Sequence, residues 1–311
     1  MRRVLVPLDG SVEAEKIFPD ARRLAGPDGE LILVREASLP VRVRDMFADA
    51  TTDAIEDAEW YLEHEAEKLR DDGVRVRTQW FVLADAASAI DEAARLFEAN
   101  MIAIATHGRG PVSRLVRGGV AWRALAHSPV PVLLRHIEHA APSRHQESSR
   151  RHIMVPLDGS AYAEKALPVA HELALEWNAA LWLVQVIPEI PSTVVAGLTA
   201  VPAMAVADEE SVRQAHGYLE GLARNLRCEV HVQAAYGPIV DTLVRDADRF
   251  FITDIVMATH GRTGLSRVIL GSVADELIHR LHMPIVMVPA LACGRLEDET
   301  PTMPVGTVAG D

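Results

Sequence analysis

Two glycine-rich loops of nearly the same sequence occur in this chain, and their residue types could bind phosphate. ATHGRTGLSRVILGS runs from Ala258 to Ser272, and ATHGRGPVSRLVRGG runs from Ala105 to Gly119. Glycine lets the backbone approach a ligand closely. A helix that opens at Gly271 and Ser272 would direct free N–H groups and a positive dipole end at an anion. We therefore predict a phosphate site here, with the Ser272 hydroxyl as an extra donor and as the helix cap, and with Arg262 as a charged partner.

An aspartate follows the first apolar strand of each half of the chain. VLVPLDGS (Val4–Ser11) recurs as IMVPLDGS (Ile153–Ser160). Asp158 would lie at the carboxyl end of its strand, where doubly wound folds bind ligands. Its carboxylate could accept hydrogen bonds from ribose hydroxyls or an adenine amino group, and apolar Val186 could lie beside the base. As isolated features, Asp158 could cap the following helix and the glycines could shape turns. Their combination in one unit favours a nucleotide pocket.

Both sequence pairs recur because the chain is a duplication. The two copies are separated by nearly the same distance at the start and at the end of each half, which is typical of an internal repeat. Short apolar strands alternate with amphipathic helices throughout. This pattern predicts an α/β fold with two tandem doubly wound domains. Each domain would be a five-stranded parallel sheet with helices on both faces, and an approximate two-fold axis would relate them.

The domain boundaries follow from changes in composition. We place the first domain at 1–137, a polar linker at 138–150, the second domain at 151–290 and a disordered tail at 291–311. The linker contains SRHQESSRRH, and the tail is acidic and rich in proline and glycine.

An uncharged segment, Ile190–Ala207, accounts for the extra length of the second domain. It approaches the length of a short membrane span, but Pro191, Gly197 and Pro202 interrupt it. We therefore predict a loop packed against the protein or a partner, followed by a helix from Asp208.

Composition and motifs exclude several classes of protein. The net charge of −13 over 311 residues argues against sequence-independent nucleic-acid binding. Cys228 and Cys293 have no metal-like spacing, and the N-terminus lacks a signal-peptide core, so we predict reduced thiols and a cytoplasmic location without a membrane span.

The familiar catalytic motifs do not occur in the sequence. It contains no GxxxxGK[ST], no strand-linked GxGxxG and no GxSxG. His107 and His260 could act as acid–base groups or could only shape their turns. We predict no catalytic residues and no metal ligands.

The quoted motifs resemble those of the universal stress protein family in its tandem form, over about Met1–Ala290. The ATP-binding members of that family carry Gly-x2-Gly-x9-Gly-Ser/Thr on this loop and an aspartate after the first strand. Gly261 and the Gly271-Ser272 pair fit this signature, whereas Ala258 replaces its first glycine. The resemblance implies an adenine nucleotide alpha hydrolase-like fold and an ATP site formed by Pro156, Leu157, Asp158, Val186, Ala258, Gly261, Arg262, Gly271, Ser272 and Val273.

The first domain departs further from the family signature. Gly119 stands where Ser272 stands, Pro111 stiffens the loop, and Glu36 replaces Val186 beside the base. A carboxylate next to adenine would be costly to desolvate unless it is paired. We therefore expect weak or no binding there, with the lesser candidates Pro7, Leu8, Asp9, Gly108, Arg109, Gly118 and Gly119.

The resemblance implies an ATP-binding protein with a regulatory or stress-protective role, and Mg²⁺ could accompany the phosphates. It also implies that the last strands, Val130–Arg135 and Pro284–Pro289, join the domains as a pseudo-dimer. A homodimer of the whole chain stays open. Two alternatives are a slow Mg²⁺-dependent ATPase and a scaffold that binds no nucleotide and acts by pairing.

Overall fold

The computed structural model describes residues 1–37, 48–82, 86–106, 125, 128–137, 150–188, 201–259 and 271–289. The predicted linker and tail therefore lie almost entirely outside the described residues.

Strands and helices alternate in both halves. The elements of the first half are β1 (Arg3–Pro7), α1 (Val12–Glu15), α2 (Phe18–Ala25), β2 (Glu30–Glu36), α3 (Ala48–Asp71), β3 (Arg75–Phe81), α4 (Ala86–Leu96), β4 (Met101–Thr106) and β5 (Val132–His136). Those of the second half are β6 (His152–Leu157), α5 (Ala161–Glu164), α6 (Ala166–Trp177), β7 (Ala180–Ile187), α7 (Val201–Ala223), β8 (Val230–Tyr236), α8 (Ile239–Arg249), β9 (Asp254–Ala258), α9 (Ser272–Arg280) and β10 (Ile285–Val288).

All ten of these strands form one sheet, in the order β3-β2-β1-β4-β5-β10-β9-β6-β7-β8. Pairing is parallel within each half. The central pair β5 and β10 is antiparallel, with Ile285 opposite Leu134 and Met287 opposite Val132. Counted inward from either edge, each half places its strands in the same order, namely third, second, first, fourth and fifth. The predicted fold class and the predicted junction of the two last strands are confirmed.

The core consists of two apolar layers, one on each side of the sheet. Leu31 and Leu181 belong to one layer, and their neighbours in sequence, Ile32 and Trp182, belong to the other. This alternation follows from the period of two in a strand. Helices cover both faces, as a parallel sheet requires. None of the helices in the described ranges has the length and apolar content needed to cross a bilayer.

A charged cluster lies where the two halves meet. Asp254 is fully buried and pairs with Arg23 of the first half and Arg151 of the second, both at 2.8 Å. Arg23 also contacts Asp20 at 3.0 Å, and Arg135 reaches Asp20 at 3.2 Å. Burial raises the pKa of Asp20. Of these four ion pairs, Arg23–Asp254 crosses from one half to the other, and the other three hold its partners in place within each half.

The prediction of a loop over Ile190–Ala207 is wrong at its end. Helix α7 begins at Val201, so the last seven of these residues are helical, and residues 189–200 lie outside the described part of the chain. Pro202 suggested a helix breaker. It lies in the first turn of α7, where a missing N–H removes no helical hydrogen bond.

Candidate functional site

A cavity of about 690 Å³ opens at the carboxyl ends of β6, β7 and β9 in the second half. It lies at the point where the chain order reverses, since β7 flanks β6 on one side and β9 on the other, and such crevices bind ligands in doubly wound folds. Eight of the ten residues predicted for the second-half site line it, namely Pro156, Leu157, Asp158, Val186, Ala258, Gly271, Ser272 and Val273. Gly261 and Arg262 lie outside the described residues, as do His107 and His260.

Asp158 organises the turn between β6 and α5. Its Oδ1 accepts hydrogen bonds from the backbone N–H of Ser160 at 3.0 Å and from the Ser160 hydroxyl at 2.6 Å. Ser160, rather than Asp158, is the N-cap of α5, because its Oγ accepts from the N–H of Ala163. Asp9 binds Ser11 in the same way in the first half. The two carboxylates differ in exposure, since Asp158 is half-buried and Asp9 is exposed.

The N-cap of helix α9 lies one residue earlier than predicted. Gly271 is the N-cap, with φ −59° and ψ 144°, and Ser272 is the first helical residue. The prediction that Ser272 caps this helix is therefore wrong. The N–H groups of the first three helical residues have no acceptor within an α-helix, and Ser272, Val273 and Ala274 all line the cavity. The start of α9 therefore presents donors to whatever fills this space.

The described packing around position 271 does not require a glycine. The φ of Gly271 is open to any residue, and among the described residues a Cβ there would meet the carbonyl oxygen of Thr259, at an ordinary 3.5 Å. The Gly271 N–H donates to that same carbonyl at 2.9 Å, which holds the start of α9 against the end of β9. The absent side chain widens the cavity mouth without relieving strain.

An apolar wall of the cavity is formed by α8 and the sheet face beneath it. It consists of Val184, Val186, Ile239, Leu243 and Met257. These side chains could enclose a flat, uncharged ring, because burying apolar surface is favourable without any directional requirement.

The sheet register supports the comparison of the two halves along β2 and β7. Pro7 is opposite Val34 in the first half, and Pro156 is opposite Val184 in the second. Two residues further along, Glu36 therefore occupies the position of Val186.

The opposite wall of the cavity was missed by sequence reasoning. This α7-side wall consists of Gln185, Ser211, Gln214, Ala215 and Tyr218. The only sequence signal for it is a lone polar residue in the apolar strand ALWLVQVI, which contains Gln185. The other four residues reach the cavity because α7 packs across β7 and β8, a tertiary contact that no local pattern indicates.

The α7-side wall carries negative charge close to its surface. The Tyr218 hydroxyl donates to Glu164 Oε1 at 2.9 Å. Burial raises the pKa of Tyr218, and the carboxylates of Glu164 and Asp158 raise it further, so Tyr218 is neutral at physiological pH. Among the described residues that line the cavity, none is Lys or Arg. Phosphate is therefore favoured at the start of α9 and disfavoured at this wall.

In the first half, the structure describes only the three candidates at the end of β1. Pro7 is the last residue of that strand, and Leu8 and Asp9 follow it. The remaining candidates, Gly108, Arg109, Gly118 and Gly119, lie outside the described residues.

Cys228 is half-buried, and burial raises the pKa of its thiol. A raised pKa makes a thiol less reactive, so this finding agrees with the predicted free thiol. Cys293 lies outside the described residues.

Comparisons with known proteins agree with this architecture. A sequence model of the universal stress protein family matches residues 1–136 and 149–289. A universal stress protein of Methanocaldococcus jannaschii is 29% identical over 148 residues, which cover 47% of this chain and 85% of that protein. One from Mycobacterium tuberculosis is 24% identical over 195 residues, which cover 61% of this chain and 62% of that protein.

A similar fold occurs in a solved structure. The crystal structure of a universal stress protein from Archaeoglobus fulgidus superposes with a TM-score of 0.66 and 20% identity, covering 92% of this chain and 96% of that one. At this level of identity the match concerns the fold alone.

Proposed function

Since this chain belongs to the universal stress protein family and contains two copies of its domain, we propose that it binds ATP in the cavity of the second domain. One observation carries the proposal: a single cavity of about 690 Å³ brings together eight of the ten residues predicted for the nucleotide. Small-molecule sites typically enclose roughly 300–1,000 Å³, so a nucleotide fits this volume.

The adenine ring lies against the α8 side of the cavity in this proposal. Val184 and Val186 at the end of β7, together with Ile239, Leu243 and Met257, offer the apolar surface that a purine needs. The first domain has the Glu36 carboxylate in the place of Val186. A carboxylate offers a purine no apolar surface to bury, so the proposal assigns ATP to the second domain.

The phosphates lie at the start of α9. The backbone N–H groups of Ser272 and Val273 and the Ser272 hydroxyl are the donors, and the helix dipole favours an anion at this end. Gly271 leaves room for the phosphate to approach, since its described neighbours would tolerate a larger residue there. Mg²⁺ would be held chiefly by the phosphate oxygens.

We assign the protein a regulatory or stress-protective role, in which the presence of nucleotide is the signal. Such a role requires only that the ATP-bound and ATP-free forms differ in stability or partner affinity. A ligand that binds only the folded form stabilises it by RT ln(1 + [L]/Kd), which is about 2.7 kcal/mol at a hundredfold excess over Kd.

The test is the identity of the ligand that the protein carries. The full chain is purified without added nucleotide and denatured, and the released small molecules are identified by mass spectrometry. Nucleotide-free protein is then melted with ATP and Mg²⁺, where a rise in Tm that saturates with ATP concentration is expected.

Three other outcomes would contradict parts of the proposal. No released nucleotide and no rise in Tm would favour a scaffold that acts by pairing. Steady release of inorganic phosphate from added ATP would favour a slow ATPase. A Tm that rises equally with inorganic triphosphate and with ATP would mean that the apolar wall does not hold the base.

A further inference from the structure

Gln185 differs from the other described residues of the cavity wall, because its amide oxygen is buried and has no hydrogen-bond partner. The residue is 5% exposed, and its Oε1 has no hydrogen-bond partner among the described residues. Buried polar groups in native proteins are nearly always hydrogen-bonded, so an exception calls for an explanation. A buried acceptor that lines a cavity is explained by a ligand that donates to it.

The sheet register places Gln185 on the face that α7 covers. Leu157 and Ala234 are its partners on either side, and both pack in the same apolar layer. Val186 points to the other face and belongs to the other layer. A ligand in the cavity would therefore meet Gln185 with a different part from the one that lies against Val186.

The first domain fills the corresponding space with its own side chains. Arg35 stands at the position of Gln185, and Trp80 stands at that of Ala234. The Arg35 guanidinium pairs with Asp57 at 2.9 Å and lies 4.9 Å from the centre of the Tyr61 ring. A Cβ at Gly10 would be 3.0 Å from its Nη2. Arg35 thus lies across the turn that follows β1.

The side chains that border this space are arranged in the same way in both domains, and we call this arrangement the frame. Tyr61 donates to Glu15 at 3.1 Å, as Tyr218 donates to Glu164 at 2.9 Å. Asp57 precedes Tyr61 by one helical turn, as Gln214 precedes Tyr218. The two domains therefore differ in what occupies the frame. The first domain holds an internal ion pair there, and the second holds an open cavity and an unmet acceptor.

We propose that Gln185 is a specificity-determining residue, whose buried amide oxygen accepts a hydrogen bond from an N–H or O–H group of the nucleoside. This inference rests on the proposed nucleotide binding and adds the selection of the ligand. The donor is the exocyclic amino group of the base or a ribose hydroxyl. The carboxylates of Asp158 and Glu164 near the same wall favour a ligand donor over a ligand carbonyl, because they repel acceptors.

The test is Gln185→Met, which keeps a side chain of similar length and removes both polar atoms. ATP, inosine triphosphate, 2′-deoxy-ATP and 3′-deoxy-ATP are titrated calorimetrically into the full-length parent and the variant. ATP affinity should fall about five- to tenfold in the variant, the loss expected for one neutral hydrogen bond. For the analogue that lacks the recognised donor, parent and variant should bind equally. That analogue identifies the donor group.

A structural role for Gln185 predicts a different result. Since Oε1 has no intramolecular bond to lose, Gln185→Met should melt at the same temperature as the parent without ligand, or higher. A lower Tm together with equal losses for all four nucleotides would overturn the inference. Unchanged ATP affinity in the variant would overturn it as well, while leaving ATP binding intact. If the parent binds none of the four, the proposed function fails and this inference fails with it.

A second variant copies an ion pair of the first domain into the second domain. Gln185→Arg combined with Gln214→Asp should rebuild the ion pair that Arg35 and Asp57 form. ATP affinity should fall at least tenfold and Tm should be maintained. A double variant that melts like the parent and binds ATP with parental affinity would contradict the proposed use of this space.

Discussion

Removing the hydroxyl of Ser272 should lower the affinity for ATP without lowering the stability of helix α9. Ser272 is the first helical residue of α9, and Gly271 is the N-cap. Ser272→Ala therefore deletes a proposed phosphate donor without deleting a cap. Alanine is also the better helix former, so the protein without ligand should be as stable as the parent.

The expected loss of affinity follows from the charge of the partner. A hydrogen bond to a charged group contributes roughly 1.5–3 kcal/mol, and 1.4 kcal/mol corresponds to about tenfold in Kd. ATP should therefore bind about 10- to 100-fold more weakly to Ser272→Ala in calorimetric titrations. Adenosine, which has no phosphate, should bind parent and variant equally.

Ser160→Ala is the matched control, because this serine does cap its helix. Its Oγ accepts from the N–H of Ala163 at 3.2 Å. Its loss should cost about 1 kcal/mol of stability, a decrease that Ser272→Ala should not show. The reasoning is refuted if Ser272→Ala binds ATP like the parent, or if it loses as much adenosine affinity as ATP affinity.

The remaining predictions concern the aspartates. Asp158→Ala should weaken ATP binding at least about tenfold, whereas the matching Asp9→Ala should change it far less, and equal losses in calorimetry would reject the assignment to the second domain. Asp254→Asn should lower the free energy of unfolding by about 3 kcal/mol in urea titrations, because two arginines lose a buried partner; exposed Asp241→Asn should cost less than about 1 kcal/mol, and similar costs would contradict this. Burial raises the pKa of Asp20 above its ordinary 3.8, so the folded state holds this proton more tightly than the unfolded state. The Asp20 contribution to stability, measured as parent minus Asp20→Asn, should therefore decrease as pH rises from 3.8 through the raised pKa, and a rise would contradict the sign.

Much of the fold follows from local patterns in the sequence. The apolar runs ELILVRE and ALWLVQVI coincide with β2 and β7 over their whole length, because strands buried on both faces are nearly continuous in apolar residues. The internal repeat predicts two similar domains, and the family resemblance implies that their last strands meet at the centre. Helix starts are less certain: Pro202 suggested a loop, although the first turn of α7 accepts it.

Part of the candidate site could likewise be predicted from the sequence, and part could not. Residues next to strand ends, such as Asp158 and Val186, could be placed because strand order determines which ends are adjacent. The α7-side wall could not, because it depends on how a helix packs against the sheet. The role proposed for Gln185 depends on its register partners and on those of Arg35, which belong to the folded sheet and not to the local sequence.

The most direct test of ATP binding by the second domain is the stoichiometry of calorimetric titrations with ATP and Mg²⁺. Nucleotide-free full-length chain should bind one ATP. Gly271→Val, which places a branched side chain where phosphate would approach, should abolish that binding, and the matching Gly118→Val should retain it. Two sites in the parent, or equal losses in the two variants, would contradict the account.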